Sequence, residues 1–97
     1  MEVLNVIYQT AAGQGTAFYQ AVKTEGIDTA TQKENGLVCY EFFRSMESPD
    51  KILLLEIWAD EKSRFGHKNT QHYKRLTELY DAFSVKLDVR AYHVENQ

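Results

Sequence analysis

Histidine is the side chain whose charge changes closest to neutral pH, and this chain has three: His67, His72 and His93. His67 is the first candidate for a general base, because it ends a short predicted helix where its ring can lean over a sheet. The opposing structural reason for a histidine there is the helix dipole, which favours a cation at a helix C-terminus. His72 falls in the first turn of the next predicted helix, where the dipole disfavours the protonated ring, and it either lines a site or lies on the surface. Glu56 interrupts the apolar run Ile52–Trp58. A carboxylate in such a strand must find a hydrogen-bond partner or have its pKa raised. It either orients His67 as a supporting acid or forms an ion pair with Arg44 or Arg90 across an interface. Tyr40 becomes its neighbour only if the hairpin register puts the two side by side, and register is not readable from sequence.

Other side chains supply donors and walls. Trp58 shares the strand face of Glu56, where its indole either donates a hydrogen bond, stacks on an aromatic ligand or packs in the core. Asn5 interrupts an apolar strand and is a candidate donor in a slot or an edge residue. Phe65 and Phe18 are pocket or core residues. Arg90, on the polar side of the last strand, either holds an anionic group or is solvated. No metal site is expected: His67 and His72 are separated by a helix break, His93 is far along the chain, and no spacing matches a familiar zinc or iron pattern. Gly13-x-Gly15 is too sparse for a dinucleotide or phosphate loop, so no flavin or nicotinamide site is expected either.

These residues need elements to position them. Glu2 to Thr10 is rich in β-branched and apolar residues and reads as a strand. After a glycine-containing turn, Thr16 is a candidate N-cap for a helical segment over 17–33, weakened at Gly26 and closed at Asn35-Gly36. Leu37–Arg44 and Lys51–Trp58 read as a strand pair joined by a hairpin-length connection. Asp60 caps a short helix to about Lys68, and Thr70 caps another from Gln71 to about Ala82. In that helix Tyr73, Leu76, Tyr80 and Phe83 make an apolar face. Ser84 to Val94 alternates as a half-buried strand. The order gives an α+β, ferredoxin-like split βαβ fold with a four-stranded antiparallel sheet, as one domain over residues 1–97.

The two middle strands are apolar on both faces. Val38, Tyr40 and Phe42 oppose Cys39 and Phe43; Ile52, Leu54 and Trp58 oppose Leu53, Leu55 and Ile57. Helices cover one face only, so the other is expected to pack sheet to sheet against a second copy in a homodimer. The net charge of −3, with 11 basic residues scattered among 14 acidic ones, argues against nucleic acid. No apolar run reaches the roughly 20 residues of a membrane span. A lone cysteine, Cys39, and no signal-like N-terminus lead us to expect a cytoplasmic protein.

The stretch Glu56-Ile-Trp58, Asp60, His67-x-x-Thr70-Gln71-His72, preceded by Glu34-Asn35-Gly36 and Tyr40-Glu41, resembles the antibiotic biosynthesis monooxygenase family. The resemblance implies a dimeric α+β barrel that binds a small molecule. It further implies cofactor-independent oxygenation of an aromatic or quinol-type substrate, with His67, Glu56 and Tyr40 catalytic. Trp58, His72, Asn5, Phe65 and Arg90 then line the pocket. The family is also similar to an isomerase of a small phosphorylated carbonyl compound, and non-catalytic binding or stress-response modules share its fold. Two positions depart from the pattern. Gln71 stands where a proline is usual, and Thr77 stands near the iron-ligating histidine of the haem-degrading branch, so no cofactor is expected.

Overall fold

The structure, a computed structural model, describes residues 1–95. Its elements run β1 (Glu2–Gln9), α1 (Gly15–Thr24), α2 (Ile27–Gln32), β2 (Leu37–Arg44), β3 (Lys51–Trp58), α3 (Glu61–His67), α4 (Gln71–Ala82) and β4 (Lys86–His93). The strands form one antiparallel sheet in the order β2-β3-β1-β4, which is the ferredoxin-like arrangement.

Strand alternation sorts the side chains into two faces. Leu4, Val6 and Tyr8 of β1, Tyr40 of β2, and Ile52, Leu54 and Trp58 of β3 form a core with Phe18, Val22, Ile27, Leu76 and Leu79 of the helices. On the opposite face Val3, Ile7, Leu53, Leu55 and Ile57 are only half-buried. β2 and β3 are both apolar on each side, but β2 is an edge strand, so the central strands are β3 and β1 rather than β2 and β3, and one further adjustment is needed. A bulge between Leu37 and Cys39 takes Val38 out of the pairing and leaves it 57% exposed, so Val38 does not share the inward face of Tyr40.

The helical segment expected over 17–33 is two helices. Gly26 adopts the left-handed conformation at φ 69° and forms the N-cap of α2, which turns the chain between them. Thr16 is not the cap of α1. That helix starts two residues earlier than expected, at Gly15, and Asp50 of the β2–β3 hairpin meets its first amide and the turn before it, accepting from Gly15 N and Gly13 N at 2.9 Å each. The other two caps fall where expected: Asp60 accepts from Ser63 N at 2.8 Å and Thr70 from Tyr73 N at 3.2 Å.

Gly36 locks the start of β2 to α3. Its φ of 85° suits glycine, and a methyl group there would collide with Cβ and Oγ of Ser63. Its carbonyl accepts from Ala59 N at 2.7 Å, just before the α3 cap. Gly36→Ala should cost about 2–5 kcal/mol of stability, from left-handed strain and overpacking together. Urea unfolding followed by Trp58 fluorescence measures it. Adding Ser63→Gly should recover the steric part only; an unchanged midpoint for the single variant would show that the close approach contributes nothing.

Candidate active site

His67 is the last residue of α3 and is 4% exposed. Its ring lies between Trp58 and Tyr73, with centroids 5.2 and 5.1 Å away. Thr70 fixes the turn that follows: its hydroxyl donates to the His67 carbonyl at 2.7 Å while capping α4. That turn brings His72 to 5.6 Å from His67, ring to ring.

The carboxylate that holds His67 is Glu34, in the turn between α2 and β2. One oxygen, Oε2, meets His67 Nδ1 at 2.5 Å and His72 Nε2 at 2.7 Å. A carboxylate accepts and does not donate, so each imidazole presents an N–H to it. For a neutral His67 this puts the proton on Nδ1 and leaves Nε2 with its lone pair, the tautomer a general base needs.

The carboxylate on His67 is Glu34 rather than Glu56, and within the chain Glu56 bonds neither Arg44 nor Arg90. It lies opposite Leu4 and Tyr40 in the sheet and accepts from Trp58 Nε1 at 3.0 Å. Burial pushes its pKa above the ordinary carboxylate value, and the indole hydrogen bond only partly opposes this. The register does set Tyr40 beside Glu56, yet among the described residues no group meets the buried Tyr40 hydroxyl in a hydrogen bond. Burial raises its pKa well above the usual phenol range.

A cavity of about 100 Å³ opens beside His67. Its sheet wall is Leu4, Val6, Glu56, Leu87 and Val89, and its helical wall carries Arg64, His67, Lys68, Tyr73 and Tyr80. Arg64 Nη1 also donates to Glu2 Oε1 at 3.3 Å.

Of the residues singled out in the sequence, the structure gathers His67, Glu56, Trp58 and Tyr40 under α3, and His72 behind Glu34. It does not bring Asn5, Arg90 or Phe65 to this cavity. Asn5 and Arg90 face one another on the other side of the sheet, because alternation puts them out of phase with Leu4 and Val89. Arg90 bonds Asp88 at 3.2 Å there. Phe65 is 44% exposed, beneath the cationic groups of Arg64 and Lys68.

Sequence reasoning missed four lining or holding residues. Arg64 and Lys68 were findable: they lie three residues before and one after His67, on one side of a helix. Tyr80 belongs to the apolar stripe already read on α4. Glu34 was visible only as part of the motif Glu34-Asn35-Gly36, and nothing local ties it to His67, 33 residues away.

An α+β sheet with helices on one face, a buried histidine and a small cavity beside it define a ferredoxin-like protein with a candidate site under its helices. The chain belongs to the antibiotic biosynthesis monooxygenase family, whose sequence model matches residues 1–79. Among solved structures it is similar to a Deinococcus radiodurans protein provisionally named an antibiotic biosynthesis monooxygenase. The identity is 18%, the coverage 100% of this chain and 95% of the other, and the TM-score 0.87. A Nitrosomonas europaea protein with the same provisional name is 21% identical over 97% and 98% of the two chains, with a TM-score of 0.85. A conserved Methanosarcina mazei protein is 23% identical over 98% and 94%, with a TM-score of 0.83. Likeness at these identities establishes the shared fold. Among curated proteins no significant sequence match is found. No helix of the described residues is long and apolar enough to cross a membrane.

The buried Glu56 carries a stability prediction. Its folded pKa lies above its unfolded value, so the native state binds protons more tightly, and wild-type stability falls as pH rises through that interval. Glu56→Gln keeps an acceptor for Trp58 and removes the ionisation. It should melt higher than wild type at pH 7, with the gap narrowing as pH drops toward the ordinary carboxylate range. A variant that melts at or below wild type at pH 7 would mean that the ionised Glu56 is stabilised in place.

Proposed function

We propose that this protein is a cofactor-independent monooxygenase of small hydroxyaromatic or quinol-type substrates, with His67 as the general base. The observation that carries the proposal is a buried histidine in a cavity wall, with Nδ1 tied to a carboxylate and Nε2 left to accept. His67 takes the hydroxyl proton of the substrate, and the resulting anion is electron-rich enough to reduce oxygen directly. For a phenol with a free para C–H, one oxygen atom forms the new carbonyl and the other leaves as water with the two hydrogens the substrate loses. The substrate supplies all four electrons, so the overall change balances without an added reductant. Glu34 is the positioning residue, and Glu56, with its raised pKa, is a donor to developing oxygen anions. Tyr73 and Tyr80 make the aromatic wall.

The cavity is smaller than the roughly 300–1,000 Å³ of most ligand sites. In this proposal the half-buried face of Val3, Ile7, Leu53, Leu55 and Ile57, on the side of the sheet away from the cavity, packs against its equivalent in a homodimer. The free thiol of Cys39 accords with a reducing, cytoplasmic setting. A second reading draws on Arg64 and Lys68 at the cavity, which suit an anionic substrate and therefore an isomerase of a phosphorylated carbonyl compound.

Oxygen uptake by metal-stripped protein against a panel of quinols and hydroxynaphthalenes separates the two readings. We expect turnover above autoxidation that falls about 10²–10⁴-fold in His67→Ala, the usual contribution of general-base catalysis. Glu34→Gln should lose less, mainly in kcat. Uptake at the buffer rate throughout, with conversion of phosphorylated ketones, would replace the oxygenase by the isomerase; neither reaction would leave a binding module. For the dimer, light scattering should give twice the chain mass of 11.2 kDa, and Leu55→Asp should halve it. A wild-type monomer at micromolar concentration overturns the sheet-to-sheet contact.

A further inference from the structure

Glu34, His67 and His72 do more than fix a tautomer. One ligand atom from each lies within 4.8 Å of the other two, and both ring nitrogens aim at the same carboxylate oxygen. We propose that this cluster is a binding site for a first-row divalent metal ion of the zinc class, held by His67 Nδ1, His72 Nε2 and the Glu34 carboxylate.

Two histidines and one carboxylate form a donor set that zinc accepts, with metal–ligand bonds of about 2.0–2.2 Å and a further position for water or a ligand. The ion takes the place of the two protons now shared between the imidazoles and Oε2, with the carboxylate withdrawing and the two rings drawing in to bonding distance. The donors are pre-positioned from three directions. His67 ends α3, His72 begins α4, and the Thr70 hydroxyl bond to the His67 carbonyl, 2.7 Å long, fixes the turn between them. Glu34 is held in its turn by its own N–H, which donates to the Thr31 carbonyl at 3.0 Å. The side chains are mostly buried, with 4% of His67, 15% of Glu34 and 20% of His72 exposed. The site therefore differs from the exposed His93 with Glu2 and Glu95, where the histidine is 65% exposed. A helix break separates the two histidines in sequence, which is why their spacing matches no familiar motif.

Binding has a chemical consequence at the other ring nitrogen. A metal on Nδ1 uses that lone pair, so the proton of a neutral His67 moves to Nε2. The side of the ring that accepts protons in the metal-free protein then donates one. This consequence rests on the oxygenase reading: the ion should switch the reaction off.

Cobalt(II) titration of the metal-stripped protein, read by its visible d–d absorption, tests the site without reference to activity. Zinc calorimetry gives the stoichiometry. We expect one ion per chain. His72→Ala and Glu34→Gln should each weaken binding at least roughly a hundredfold, beyond the 10–100-fold typical of losing an outer-shell partner. His93→Ala should leave it unchanged, and near-ultraviolet circular dichroism checks that each variant keeps the fold. No saturable cobalt spectrum in wild type, binding retained in His72→Ala, or binding lost in His93→Ala would each overturn the site. Zinc should also suppress oxygen uptake in wild type and not in His72→Ala. If no protein consumes oxygen, the oxygenase reading fails while the cobalt titration still decides the metal site.

Discussion

Strand β3 is the constraint on which the molecule depends. It pairs with β1 on one side and β2 on the other, and its residues are apolar in both directions. On one side Ile52, Leu54 and Trp58 are buried under the helices. Burying side chains of that size contributes roughly 1.5–3 kcal/mol each, which anchors the helical layer and with it the position of His67. On the other side Leu53, Leu55 and Ile57 gain much less, because only their neighbours within the sheet shield them. A small domain has little stability to forgo. The same strand thus builds the cavity on one face and leaves a half-buried apolar surface on the other.

Two carboxylates sit within this layer, and their surroundings give them different chemistry. Glu34 lies at a turn, where two imidazole N–H groups point at one of its oxygens. Glu56 lies in mid-strand with one indole donor, and its burial favours the neutral form more than that bond and the nearby His67 and Arg64 oppose it. Glu34 suits holding a histidine or an ion. Glu56 suits giving a proton to an oxygen anion. The cavity passes between the two roles, since it touches His67 and Glu56 together.

Much of this was legible in the sequence where the signal is local. Asp60 and Thr70 announce helix starts because a cap needs only a side-chain oxygen beside the first free amides. Glu56 stood out because a charge in an apolar strand breaks a short-range pattern. What depends on distant contacts was not legible. The start of α1 is set by Asp50, 35 residues from Gly15, and the partner of His67 is fixed by how a turn after α2 meets α3. Arg90 and Asn5 were candidates by residue type, but a strand sends alternate side chains to opposite faces, and the phase of β4 against β1 emerges only from the pairing.

The charges around the cavity bear on what enters it. Arg64 is engaged by Glu2, a buried carboxylate that also accepts from His93 Nδ1 at 2.6 Å. Drawing Arg64 onto a ligand would leave Glu2 in part uncompensated, and an unpaired buried charge is costly. Lys68 has no ion pair among the described residues and rests against the Phe65 ring. The readily available positive charge is therefore about one, and Glu56 stands close by. A phosphate group brings about −1.5 to −2 at neutral pH. On the proposed reading, a hydroxyaromatic ring would enter uncharged and become a monoanion only once His67 took its proton. The imidazolium so formed then supplies a second positive charge at the place where the negative charge appears. This charge balance favours a neutral substrate ionised inside the cavity over one that arrives already doubly charged.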